Sequence, residues 1–136
     1  LRAATDAEGW LRTGDVARRD ADGDHEIIGR LTEMFVSGGE NVWPGEVERV
    51  LCSHPGAAEA AVVPVPDDRW GEVGHAFVEP RAGHCIEAGS LAQWCRARLA
   101  GYKVPRGFSI LEALPRTASG KVDKPALKDR LWSGPQ

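Results

Sequence analysis

Apolar and polar positions along the chain change period several times, and each change marks an element. Val16 to Arg19 and His25 to Ile28 flank the polar run Asp20-Ala21-Asp22-Gly23-Asp24. Asp22-Gly23 supplies the positive φ that a tight turn requires, so the segment predicts a β-hairpin ended by Gly29-Arg30. Met34-Phe35-Val36 reads as a short apolar strand closed by Ser37-Gly38-Gly39. Pro44 suits a first helical turn. After it, Val47, Val50 and Leu51 recur at helical spacing, and His54-Pro55-Gly56 stops the helix.

The dense run AAEAAVVPV (57–65) predicts a buried strand, DDRWGE (67–72) a loop, and His75 to Val78 another strand. Ser90 is expected to cap a helix whose inner face is Leu91, Trp94, Cys95 and Leu99, broken by Gly101 and Pro105. Phe108 to Leu111 reads as a strand, and Pro125, Leu127 and Leu131 as a closing helix. From about residue 33 the order is β-α-β-β-α-β-α. That order predicts an α+β fold, a small mixed sheet with packed helices, preceded by a β-hairpin.

Length allows 136 residues to form one domain, or a small domain with a piece of another. The opening LRAATDAEGW has no Met and reads as the middle of a domain, so a fragment of a longer protein is expected. A net charge of −3 with dispersed basic residues argues against a nucleic-acid surface. Cys52, Cys85 and Cys95 are odd in number and lack CxxC spacing, so neither a disulfide framework nor a zinc site is expected. Four scattered histidines form no ligand pattern, and no metal ligand is assigned. Free thiols fit a reducing cytoplasm, and the apolar runs are too short to span a bilayer.

Three motifs carry chemistry. In GWLRTGD (9–15), Asp15 follows a Thr-Gly pair at the mouth of the hairpin, where a carboxylate can accept two hydrogen bonds from a vicinal diol such as ribose. In GRLTEMFVSGGENVWPGEVE (29–48), Arg30 places a cation across the hairpin from Asp15. Gly38-Gly39 there permits close approach of a backbone to a ligand, without GxGxxG spacing. Glu46 and Glu48 read as surface acids favoured by the helix dipole. In LPRTASGKVDK (114–124), Lys121 follows the small residues Ala118-Ser119-Gly120. Pro115 stands where a P-loop needs glycine, so phosphate chemistry here rests on the Lys121 ammonium as a mobile point charge.

In this order, the three motifs resemble signature blocks of the C-terminal end of the adenylate-forming superfamily. That superfamily comprises acyl- and aryl-CoA synthetases, peptide-synthetase adenylation domains and beetle luciferase. YKVP (102–105) and DDRWGE resemble weaker blocks, and the resemblance covers residues 5 to 131. It implies that residues 1–31 are the end of a large N-terminal domain, and residues 32–136 a C-terminal lid with two orientations. It implies ATP, Mg2+ and CoA as the co-reactants, with Mg2+ held mainly by the upstream domain. Asp15 and Arg30 would bind ATP or AMP at ribose and phosphate, and Lys121 would be catalytic in adenylation. Ser37, Gly38, Gly39 and Glu40 would line the pantetheine channel of CoA, and Glu33 would be the hinge, where relatives carry Asp or Lys. His25 departs from an aromatic residue at that place in the hairpin.

The expected function is therefore the C-terminal fragment of an ATP-dependent acyl-CoA ligase for a fatty or aryl acid, inactive alone. The alternatives are an adenylation domain that loads a carrier protein, and a non-catalytic interaction module. The expected partners are a carboxylic acid, ATP, CoA and the chain's own N-terminal domain. A lysine acetyltransferase is a further expected partner, since Pro115 and Gly120-Lys121 match the context in which relatives are silenced by acetylation.

Overall fold

The computed structural model describes residues 5–133. The first four and last three positions of the two expected units lie outside the described residues.

β1 (Asp15–Arg19) and β2 (His25–Arg30) pair antiparallel. The turn between them is held by Asp20, whose Oδ1 accepts from the Asp22 and Asp24 amides at 2.9 Å each. Gly23 takes φ 91°, as Asp-Gly predicts. Gly29 and Arg30 lie within β2 and do not end the unit before it, and that extension sets Asp15 opposite Arg30.

β3 (Phe35–Ser37) is followed by β4 (Glu40–Val42), which the apolar pattern does not reveal because only Val42 of its three residues is buried. Gly38 and Gly39, at φ 59° and 85°, make the turn between them. β5 (Ala57–Asp67) and β6 (Gly71–Pro80) form a long antiparallel pair. The expected loop is only the turn Asp68-Arg69-Trp70, in which Asp67 Oδ1 accepts from the Arg69 and Trp70 amides at 2.9 and 2.8 Å. β7 (Gly107–Ile110) joins β6 in parallel, giving a mixed five-stranded sheet ordered β4-β3-β6-β5 with β7 also on β6.

Helices cover both faces, which is why β5 reads as a continuous apolar run and does not alternate. α1 (Pro44–Cys52) and α2 (Ala88–Arg96) enclose one core with Val62, Ala76 and Val78 of the sheet. α3 (Lys124–Trp132) buries Leu127 on the opposite face against Ala61, Val63, Phe77 and Leu114. Ser90 does not cap α2. Glu87 holds the N-cap position without a side-chain bond, and the Ser90 hydroxyl lies inside the helix, 3.3 Å from His54 Nε2. Trp94 donates its indole N–H to the Val50 carbonyl at 2.9 Å, tying α2 to α1. Leu99 falls beyond the end of α2 but still packs against that core.

Candidate active site

Asp15 and Arg30 meet as neighbours across the hairpin, with Arg30 Nε 3.5 Å from Asp15 Oδ1. The Asp15 amide donates to Thr13 Oγ1 at 3.1 Å, and the Gly14 carbonyl accepts from the Leu31 amide at 2.8 Å. Gly14 takes φ 78° to make that crossing. A carboxylate and a guanidinium are thus displayed together at the open end of β1 and β2, both accessible to a ligand.

Glu33 follows directly, in the bend between β2 and β3. Its amide donates to the Arg30 carbonyl at 3.0 Å. Its carboxylate lies 3.1 Å from Lys124 Nζ, which also contacts Glu48 at 2.7 Å. Glu48 in turn accepts from the Val62 amide at 2.9 Å. Glu48 is therefore not a free surface acid. Nor is Glu46, which is bonded to Lys103 at 2.9 Å and so ties the YKVP segment to the first turn of α1.

The four residues of the SGGE turn take different places. Ser37 is 3% exposed and pairs with Gly71. Gly38 lies beneath Trp70: its amide donates to the Trp70 carbonyl at 2.9 Å, and a Cβ would stand 2.7 Å from the indole. Gly39 has no atom within 4 Å of where a Cβ would lie. Gly39 and Glu40, with Trp43, Tyr102 and Lys103, line an open cavity of about 710 Å³ reached also by Arg18 and Arg49 of the hairpin side and α1. This explains DDRWGE as well, because its Trp70 supplies the surface on which the glycine turn is built.

Lys121 is exposed and makes no ion pair or hydrogen bond through its ammonium among the described residues. Its backbone, by contrast, is held. The Thr117 amide donates to the Lys121 carbonyl at 2.8 Å, the Gly120 amide donates to the Thr117 carbonyl at 2.9 Å, and Arg116 bridges Val122. Gly120 adopts φ 85° at the tip. Behind the turn, Asp123 caps α3 by accepting from the Ala126 amide at 3.0 Å. The run of small residues thus forms an ordered tight turn with a free cation beyond it.

Residues 46–121 match the model of the AMP-binding enzyme C-terminal domain. The chain belongs to that family. It is 48% identical over 124 residues to a feruloyl-CoA synthase of an Amycolatopsis species, covering 91% of this chain and 25% of that protein. It is 45% identical over 121 residues to the 2-succinylbenzoate–CoA ligase of Bacillus subtilis, covering 89% of this chain and 24% of the relative. Among solved structures, the o-succinylbenzoate CoA synthetase of Bacillus subtilis in complex with its acyl-adenylate intermediate superposes with TM-score 0.83 at 44% identity, covering 93% of this chain and 26% of that one. The chain thus spans about a quarter of the length of these relatives, as a C-terminal portion. The α+β architecture is that of the family's C-terminal domains.

Sequence reasoning singled out the cation at Lys121, the Asp15–Arg30 pair and the glycine turn. It missed the anchors: Lys124 and Glu48 behind Glu33, Trp70 over Gly38, and Arg116 with Glu59 behind the Lys121 turn. Their partners lie 14 to 91 positions away along the chain, so spacing carried no sign of them.

Proposed function

We propose that this chain is the lid portion, with the adjoining hairpin, of an ATP-dependent ligase that activates a carboxylic acid of the aryl or fatty class and passes it to CoA. The observation that carries this reading is an exposed Lys121 ammonium, without a partner among the described residues, on a backbone held in a tight turn. A charge so placed is presented, not packed.

Residues up to 31 close the upstream domain, and residues from 32 form the lid. Trp10, Leu11, Ile27 and Leu31 are each 60% or more exposed, an apolar surface that the upstream domain would cover. Asp15 accepts hydrogen bonds from the two ribose hydroxyls, and Arg30 steadies that carboxylate and faces the phosphate. Lys121 approaches the α-phosphate while the substrate carboxylate attacks it. A unit charge at about 4 Å in a partly screened site contributes about 4 kcal/mol to the developing negative charge. Pyrophosphate leaves, and the acyl-adenylate remains.

In the second step the lid turns about Glu33 and withdraws Lys121. Gly39 and Glu40 then present the open cavity through which the pantetheine arm reaches the acyl carbon, with Ser37 and Gly38 supporting the turn from behind. The thiolate displaces AMP. Mg2+ would be held mainly by the upstream domain, as the family resemblance implies; among the described residues no three His, Cys, Asp or Glu side chains converge. Among the same residues, no helix is long and apolar enough to cross a membrane.

The test is direct. The full-length protein should release AMP and pyrophosphate and form acyl-CoA with one member of a panel of aryl and fatty acids, while the 136-residue chain alone releases no AMP. Transfer to a carrier-protein thiol with CoA inert would overturn the CoA assignment.

A further inference from the structure

We propose that Arg116 is a positioning residue for Lys121, clamping the peptide unit that carries the lysine to the edge of β5 through Glu59. The proposal rests on the adenylation role given to Lys121 above. One guanidinium nitrogen of Arg116 donates to the Gly120 carbonyl at 3.2 Å, the acceptor of the peptide bond that enters Lys121. The other donates to Glu59 Oε2. Glu59 belongs to β5, whose pairing with β6 runs the length of the sheet. The turn is therefore referenced to the long β5–β6 pair by one planar group with two donors.

The energetics favour a geometric role over a stabilising one. Arg116 and Glu59 are 42% and 37% exposed in their side chains, and ion pairs in water contribute little to folding. Placement, however, is worth a great deal to a cation that must meet a transferring phosphoryl group, since a displacement of about 1 Å can cost about 100-fold in rate. The Arg116 guanidinium is charged throughout the working range, as any arginine is, and its bond to Glu59 raises its pKa further. Lysine at this position would keep the charge but lose the fork that reaches two acceptors at once. Glu59 also balances a positive charge close to Lys121, leaving the lysine ammonium as the net cation of the turn.

The experiment uses the full-length protein and the variants Arg116→Gln, Arg116→Lys, Glu59→Ala and Lys121→Ala. The probe acid is whichever of ferulate, 2-succinylbenzoate and indoleacetate supports the fastest pyrophosphate exchange by the unaltered protein. Single-turnover adenylation should fall about 10-fold in all three clamp variants, Arg116→Lys included, with thioester formation from pre-made acyl-adenylate unchanged. Thermal unfolding should barely move. Hydrogen exchange at the Thr117 and Gly120 amides, which are bonded within the turn and need no acid to be read, should quicken in each clamp variant. Unaltered adenylation and exchange in Glu59→Ala, which removes the acceptor altogether, would overturn the clamp, as would equal slowing of both half-reactions. If Lys121→Ala slows adenylation while the clamp variants do not, the clamp alone fails. If Lys121→Ala has no effect, the underlying role of Lys121 fails.

Discussion

Lys124 Nζ lies 3.1 Å from the carboxylate of Glu33, joining the bend that leaves the hairpin to the first turn of α3. Two residues separate Lys124 from Lys121, so the proposed hinge and the turn with its free cation hang from the same helix end. Glu48, 21% exposed, shares the ammonium and passes the connection to the β5 backbone. Lys124→Met should free the Glu33 carboxylate and leave Glu48 with its single amide donor. We expect a loss of about 1 kcal/mol, discounted for solvent at Glu33, and faster hydrogen exchange across residues 31–34. Exchange there equal to that of the unaltered chain would rule out the tie.

Lys121→Ala should reduce adenylation by about 10²–10³-fold, the scale for one preorganised charge. The thioester step from pre-made acyl-adenylate should proceed at its usual rate. Acetylation of Lys121 removes the same charge and should reproduce the alanine result. A surface lysine with no role would leave both rates alone, and single-turnover assays of each half-reaction separate these outcomes.

The two glycines of the SGGE turn should answer differently to substitution. Gly38→Ala sets a methyl against Trp70 at 2.7 Å in left-handed backbone, and should cost about 1–3 kcal/mol by chemical denaturation. Gly39→Leu projects into open space. It also bears the left-handed strain, but its larger effect should fall on acyl-CoA formation over pyrophosphate exchange. Equal losses in the two steps would count against the channel.

Burial lowers the His75 pKa below its ordinary 6.5. The unfolded chain therefore binds more protons than the folded one between the depressed value and about 6.5. Stability from this group is fully present above that range and is lost as pH falls through it. His75 Nε2 lies 2.8 Å from Ser109 Oγ, so His75→Asn sacrifices packing but should flatten the mildly acid limb of the stability curve. An unchanged slope between pH 5 and 7 in urea titrations would exclude His75 as its source.

Burial pushes the Cys95 thiol up to about 11. Its folded value exceeds the unfolded one, so the thiol favours folding below pH 9 and loses that contribution as pH rises toward 11. At neutral pH, iodoacetamide should label exposed Cys85 quickly and leave Cys95 untouched until the chain unfolds. Early labelling of Cys95, mapped by mass spectrometry, would contradict the burial of α2.

The sequence by itself determined the elements whose cause is local. Asp22-Gly23 specifies the hairpin turn, Pro44 and the Val47, Val50, Leu51 spacing specify α1, and the run AAEAAVVPV declares a buried strand. Asp15, Arg30, Gly39 and Lys121 stood out because the motifs that carry them resemble, in order, signature blocks of the adenylate-forming superfamily. Only the tertiary structure decided what holds them. β4 forms because β3 offers it a partner, not because three residues with one buried valine prefer to be a strand. Ser90 lies inside α2, where its hydroxyl meets His54 just beyond the end of α1, while Glu87 takes the N-cap position. Lys124, Glu48, Arg116, Glu59 and Trp70 carry side chains that any surface could bear. Their meaning comes from partners brought close by the sheet, and a side chain's reach in space leaves no period along the chain.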